Sequence, residues 1–237
     1  MPLTAHAVSV RFGGLLVLNG VSLQVERGQR VGLIGPNGAG KSTLFGVLSG
    51  HIRPQKGQIY LEGSPLGSLP PEVRAHLGLA RTFQIPRPFL GLTVYENVLA
   101  FARFGKRSPD PEREAEKALA AVGLENFAER PVEALNLAQL KRLELARALA
   151  LKPHYLLVDE VFAGLNPREK DDLANRVSEL VREEGFGLLL VEHDLKTVFK
   201  LSDWVFVLAF GEIIAQGPPE VVARDERVIA AYTGGGV

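Results

Sequence analysis

The sequence predicts an α/β fold built on a mostly parallel sheet, and three observations predict it. Short apolar runs alternate with helical patterns along the chain. One such run, Arg30-Val31-Gly32-Leu33-Ile34, feeds directly into the glycine loop Gly35-Pro36-Asn37-Gly38-Ala39-Gly40-Lys41-Ser42, and a helical pattern from Ser42 to Leu48 follows. Two more apolar runs, at 155–158 and 187–191, stop at polar residues, Asp159-Glu160 and Glu192-His193. In open α/β sheets ligands bind outside the carboxyl ends of the strands, so these acidic and imidazole groups are expected beside the glycine loop.

The remaining elements follow in order. Residues 5–26 alternate apolar and polar around Gly13-Gly14 and should form an antiparallel hairpin. From about Pro86 to Ala150 the texture is helical alone: Thr93-Val94-Tyr95-Glu96 has the spacing of a capping box, and Asp110 is an N-cap before a proline at the first helical position. Residues 85–150 are therefore read as a helical subdomain inserted between core segments 1–84 and 151–237, the whole forming one domain. Asn166-Pro167 opens a further helix with an apolar stripe of Leu173, Val177, Leu180 and Val181, expected in the core and closed by Gly185. Gly234-Gly235-Gly236 reads as a frayed tail, and no repeat or low-complexity tract interrupts the chain.

Composition narrows the function. Twenty-seven basic residues balance 27 acidic ones, so no global field favours nucleic acid or an anionic membrane surface. Phosphate recognition must then be local. No apolar run reaches the roughly 18 residues that span a bilayer, and the start lacks a secretory signal pattern, so the expectation is a cytosolic protein. The absence of cysteine excludes thiolate chemistry and disulfides.

Gly35 to Ser42 fits Gly-x-x-x-x-Gly-Lys-Ser/Thr between a strand and a helix, the context that gives the pattern meaning. Its glycines let successive backbone N–H groups face one concavity, and the helix N-terminus adds partial positive charge. Lys41 would reach the β- and γ-phosphates of ATP, Ser42 would ligate Mg²⁺, and Thr43 completes the nucleotide-binding set. Asp159 would hold Mg²⁺ and Glu160 would polarise the attacking water. His193 could contact the γ-phosphate and orient the water. Gln84 could sense Mg²⁺ or water at the entry to the helical subdomain, or be an ordinary loop residue. Phe12 could stack on adenine or pack in the hairpin core.

The order of glycine loop, Gln84, the segment at 135–139, Asp159-Glu160, Gly164-Leu165-Asn166-Pro167 and His193 resembles the ATP-binding-cassette ATPases over nearly the whole chain. Arg81-Thr82-Phe83-Gln84, Leu92-Thr93-Val94-Tyr95-Glu96-Asn97-Val98, Ala163-Gly164-Leu165-Asn166-Pro167, Val191-Glu192-His193-Asp194 and the ending Gly217-Pro218-Pro219-Glu220 look like the ATPase subunits of branched-chain amino acid importers. Lipopolysaccharide-export ATPases share much of this pattern. The resemblance implies a P-loop NTPase fold and a peripheral place at the cytoplasmic face of the membrane. It implies transmembrane permease partners, with Ile85, Pro86, Phe89 and Leu90 as candidate contacts or lobe core, and a substrate-binding protein for an importer. It also implies a head-to-tail dimer in which each ATP meets the glycine loop of one cassette and the signature segment of the other. A soluble cassette acting on nucleic acid or ribosomes is disfavoured by the neutral charge and single cassette. A non-hydrolysing regulatory module is disfavoured by Glu160 and His193.

The signature segment departs from the family. Where Leu-Ser-Gly-Gly-Gln or Leu-Ser/Ala-Tyr-Gly-Gln is usual, this chain has Leu135-Asn136-Leu137-Ala138-Gln139, opening the helix that carries 140–150. The Ala138 methyl is expected to hold a phosphate off, and the Asn136 amide can either donate to it or cap its own helix. Losing one donor to the developing charge costs roughly 3–4 kcal/mol, enough to silence one of two sites and to point to a heterodimer. Val161, where proline is usual, is a second departure with no evident chemical cost.

Overall fold

A computed structural model describes residues 1–105 and 108–233; the expected Gly234-Gly235-Gly236 tail lies outside the described residues. The chain opens with strands β1 (Leu3–Phe12), β2 (Leu15–Val25) and β3 (Arg30–Ile34), helix α1 (Lys41–Ser49), strands β4 (Lys56–Leu61) and β5 (Ser64–Pro65), and helix α2 (Pro71–His76). Strand β6 (Leu79–Arg81) leads into helices α3 (Val94–Gly105), α4 (Pro111–Val122) and α5 (Leu137–Ala150), then strand β7 (Tyr155–Asp159) and helix α6 (Pro167–Glu184). Strand β8 (Gly187–Val191), helix α7 (Leu195–Leu201), strands β9 (Trp204–Ala209) and β10 (Glu212–Gly217), and helices α8 (Pro219–Val222) and α9 (Glu226–Thr233) complete it.

These elements form two compact units: residues 1–74 with 187–237, and residues 75–186. In the first, β2, β1, β4 and β5 make an antiparallel sheet, with the expected hairpin extending from Leu3 to Val25. In the same unit β3 lies between β8 and β9, parallel to both, with Arg30 opposite Leu188 and Ile34 opposite Val207. Strand β10 runs antiparallel to β9. Strands β3 and β8 are almost wholly buried, which is why they read as unbroken apolar runs rather than alternating ones.

In the second unit β6 runs parallel to β7, and α3, α4 and α5 pack on one another. Their boundaries follow the capping residues. Thr93 and Glu96 close a reciprocal box, Thr93 Oγ1 accepting from the Glu96 N–H at 3.1 Å and Glu96 Oε2 from the Thr93 N–H at 2.7 Å. Asp110 accepts from the Arg113 N–H, and Asn166 caps α6 in a box with Glu169. Gly185, with φ 70°, ends α6 in the left-handed conformation. The apolar stripe of α6 is shifted from the expected one: Leu173, Ala174, Val177 and Val181 are buried, whereas Leu180 is only half-buried. At 100° per residue Leu180 lies at the margin of the arc that Ala174 helps to fill. Among the described residues no helix is long and apolar enough to cross a membrane.

The C-terminus of α1 is satisfied by one buried cation. Arg74 donates from Nη1 to the carbonyls of Val47 and Leu48 at 2.8 and 2.7 Å, from Nε to Leu69 O at 2.8 Å and from Nη2 to Gly67 O at 3.0 Å. A guanidinium suits this place because its forked donors reach several carbonyls at once and its charge opposes the negative end of the helix dipole. Burial pushes the Arg74 pKa down from its usual value. Arg74→Met, which keeps the stem and removes the donors, should lower the unfolding free energy by at least about 1–3 kcal/mol. Urea denaturation would register this as a lower midpoint, and Arg74→Lys should recover only part of it.

Candidate functional site

In the first unit the glycine loop leaves β3 with almost no room beside its backbone. A Cβ at Gly35 would lie 1.9 Å from the Leu208 carbonyl oxygen of β9. At Gly40, where φ is 107°, it would lie 2.7 Å from Leu18 Cδ2 and 3.0 Å from Val17 O of β2. The motif glycines are therefore steric necessities: the loop is seated against two strands. Gly40 is the N-cap of α1 and supplies no side-chain cap, so the first N–H groups of that helix have no capping partner from it. Such a terminus is a ready anion site. Lys41 is 7% exposed, and its ammonium donates to Gly35 O at 2.6 Å and Pro36 O at 3.0 Å. It is thus stored against the loop it serves. Ser42 is exposed at the same helix start and Thr43 is half-buried.

His193 follows β8, which is paired in parallel with β3, so the imidazole and the loop leave neighbouring strands at the same end. Phe12 stands opposite Leu15 at the end of the hairpin and is 52% exposed. The hairpin-core alternative for Phe12 is excluded, and its ring is open to a planar partner.

In the second unit β7 ends at Asp159, whose carboxylate accepts from Arg81 Nη2 of β6 at 2.9 Å and whose backbone N–H donates to Thr82 Oγ1 at 3.0 Å. Glu160 follows with φ 50°, a left-handed conformation that costs a residue with a Cβ about 1–3 kcal/mol. Its carboxylate Oε2 accepts from Gln84 Nε2 at 2.7 Å. Its carbonyl accepts from the Lys141 ammonium of α5 at 2.9 Å. Arg81 and Lys141 were not singled out from the sequence. Arg81 lies in the same Arg-Thr-Phe-Gln run as Gln84, and a cation beside a buried strand asks for an acidic partner; Lys141 gives no local sign.

The segment after Gln84 is fastened to α5. Glu144 Oε1 accepts from the Arg87 N–H at 2.9 Å, while Arg147 Nη1 donates to Arg87 O at 2.9 Å and to Glu144 at 2.6 Å. The Arg147 guanidinium also lies over the rings of Phe89 and Phe101, at 5.0 and 4.2 Å. Burial pushes its pKa down, with Glu144 opposing. Beyond this clamp Ile85 and Leu90 are 69% and 73% exposed, Phe89 is exposed and Pro86 half-buried.

The segment 135–139 starts α5 earlier than 140: Leu137, Ala138 and Gln139 are already helical. Asn136 and Gln139 form a closed capping box, Asn136 Oδ1 accepting from the Gln139 N–H and Gln139 Oε1 from the Asn136 N–H, both at 2.9 Å. Of the two uses open to the Asn136 amide, its oxygen serves the cap.

A buried parallel strand, a glycine loop fitted against its neighbours, a lysine held at that loop and an open helix N-terminus define a nucleotide-binding P-loop ATPase. Residues 18–163 match the ABC transporter family, and residues 212–237 match the branched-chain amino acid ATP-binding cassette transporter family. The chain belongs to the ABC transporter ATPases, among the ATP-binding proteins of branched-chain amino acid transport. It is 40% identical to the high-affinity branched-chain amino acid transport ATP-binding protein BraF of Pseudomonas aeruginosa, over 98% of this chain and 97% of that protein. It is 35% identical, over the same shares, to the lipopolysaccharide export system ATP-binding protein LptB of Haemophilus influenzae. A crystal structure of an ATP-binding cassette of an ABC transporter in its ADP conformation superposes with a TM-score of 0.88 at 31% identity, covering 99% of both chains.

Two substitutions probe this arrangement. Gly35→Ala should overpack the loop, lowering stability by about 1–3 kcal/mol and weakening nucleotide binding, measurable by denaturant titration and with a fluorescent ATP analogue. Asp159→Ala should remove the carboxylate partner of the part-buried Arg81 guanidinium and lower stability by about 1–3 kcal/mol, seen as a fall in the urea midpoint with an unchanged slope.

Proposed function

We propose that this ATPase powers a membrane permease that imports branched-chain amino acids, with Glu160 as the general base of hydrolysis. The observation that carries the catalytic assignment is the 2.7 Å contact from Gln84 Nε2 to Glu160 Oε2, which orients the carboxylate that follows the strand-end Asp159. In this reading residues 35–43 cradle the phosphates through backbone N–H groups, Lys41 turns from the loop carbonyls to the β- and γ-phosphates, and Phe12 stacks on adenine. Glu160 takes a proton from water as the water oxygen attacks the γ-phosphorus. The bond to the β-phosphate oxygen breaks, and ADP leaves carrying the electron pair. His193 orients the water and the γ-phosphate.

Ser42, Asp159 and Gln84 are the residues that would hold Mg²⁺, offering hydroxyl, carboxylate and amide oxygens. This hard-oxygen set fits that ion, which is usually held by one or two carboxylates together with phosphate oxygens. When bound, the ion neutralises charge on the β- and γ-phosphates.

The cargo assignment rests on likeness to the branched-chain amino acid proteins over nearly the full chain. Lipopolysaccharide export is the second reading, favoured by the identity to the export ATPase. In either case the chain lies against permease subunits at the cytoplasmic face. Exposed Ile85, Phe89 and Leu90 are candidate contacts, and a substrate-binding protein completes an importer. Recovery of the chain with its membrane partner, followed by uptake of radiolabelled leucine into vesicles, separates the two readings.

The partner cassette is a different chain in this proposal. The Gln139 N–H at the start of α5 is taken by the Asn136 oxygen and Ala138 places a methyl where the family has glycine, so the signature segment is a poor phosphate site. The site that uses residues 35–42 hydrolyses ATP against a regular signature on the other subunit. Equal turnover of both nucleotides by a homodimer of the purified chain would rule this out. Glu160→Gln should keep ATP affinity while slowing hydrolysis by about 10²–10⁴-fold, and an unchanged single-turnover rate would remove Glu160 from the mechanism.

A further inference from the structure

We propose that Lys141 is a positioning residue for Glu160, fixing the backbone of the catalytic loop from the helix that begins with the signature segment. The inference rests on the assignment of Glu160 as the base. Lys141 is 7% exposed, and its ammonium donates to the Glu160 carbonyl at 2.9 Å. That carbonyl belongs to a residue with φ 50°, a conformation that a side chain with a Cβ keeps only when its surroundings hold it. A charge-assisted hydrogen bond from a buried ammonium is a strong hold, and it acts on the main chain and not on the carboxylate.

The same bond closes a circuit within the second unit. Gln84 donates to the Glu160 carboxylate, Glu160 is tied through its carbonyl to Lys141, and Glu144 and Arg147 bind both backbone groups of Arg87. Arg87 is three residues from Gln84, so the circuit returns to its start. Lys141 and Glu144 lie three apart on α5, and thus on one face of it. One rigid helix therefore grips the general base at one point and the segment after Gln84 at another. Displacement of α5 cannot leave Glu160 where it is while Lys141 is in place. Without Lys141 the hydrogen bond that ties the Glu160 main chain to α5 is lost, while the Gln84 contact to its side chain is untouched.

Hydrogen–deuterium exchange and ATP hydrolysis on the purified full-length chain and its Lys141→Met, Lys141→Gln and Lys141→Arg variants test this. In Lys141→Met and Lys141→Gln, amides of peptides covering 158–165 should exchange about tenfold faster than in the wild type. Turnover per bound nucleotide should fall by about 10²-fold, as expected for a misplaced reacting group, while the affinity for a fluorescent ATP analogue holds within about twofold. Lys141→Arg should restore both properties. Unchanged exchange in 158–165 overturns the proposal, as does raised exchange with unchanged turnover. Exchange that rises evenly along the chain marks a general structural role and overturns it too. If the wild-type chain binds ATP but hydrolyses it only with its partner cassette, the turnover comparison is made in that complex; a turnover unchanged there by Glu160→Gln removes the catalytic reading of Glu160, whereas unchanged exchange in 158–165 removes the role of Lys141.

Discussion

The constraint on which the nucleotide-binding unit depends is the close approach of the loop backbone to β9 and β2. A Cβ at Gly35 would sit inside the Leu208 carbonyl, and one at Gly40 would strike Leu18 and Val17. Because no side chain intervenes, the loop is fixed by main chain against main chain, and α1 starts in one orientation with its N–H groups open. The other end of α1 is fixed as firmly by Arg74, whose donors satisfy its last carbonyls. A helix held at both ends can present a phosphate site without rearranging.

Within that site Lys41 is hydrogen-bonded to carbonyls of its own loop. Those bonds satisfy a buried ammonium and keep its charge at the glycine loop, where the proposed phosphate contact would need it. The second unit uses the same device. Asp159 is paired with Arg81, and Glu160 with Gln84, which keeps both carboxylates oriented while they remain exchangeable partners.

Helix α5 joins the irregular signature segment to this acidic pair. Its first turn is closed by the Asn136–Gln139 box, its middle holds Glu160 and its far part holds Arg87. The box stabilises the helix start but occupies two side-chain oxygens and two backbone N–H groups at the helix terminus. In the dimer proposed above, that trade is the feature on which an unequal pair of sites rests.

The sequence by itself determined the elements whose signals are local. The strand–glycine loop–helix unit, the caps at Thr93, Asp110 and Asn166, and the acidic pair after β7 could all be read from short spacings, because turn chemistry and hydrophobic period act within a few residues. What only the tertiary structure decided concerns contacts between residues far apart in sequence. The Gln84–Glu160, Arg81–Asp159 and Lys141–Glu160 bonds span 76, 78 and 19 positions, and no periodicity encodes which distant group a buried cation or amide will meet. The Arg74 cap on α1 and the shift of the α6 stripe from Leu180 to Ala174 are of the same kind: each was settled by what packs against the helix, not by the helix itself.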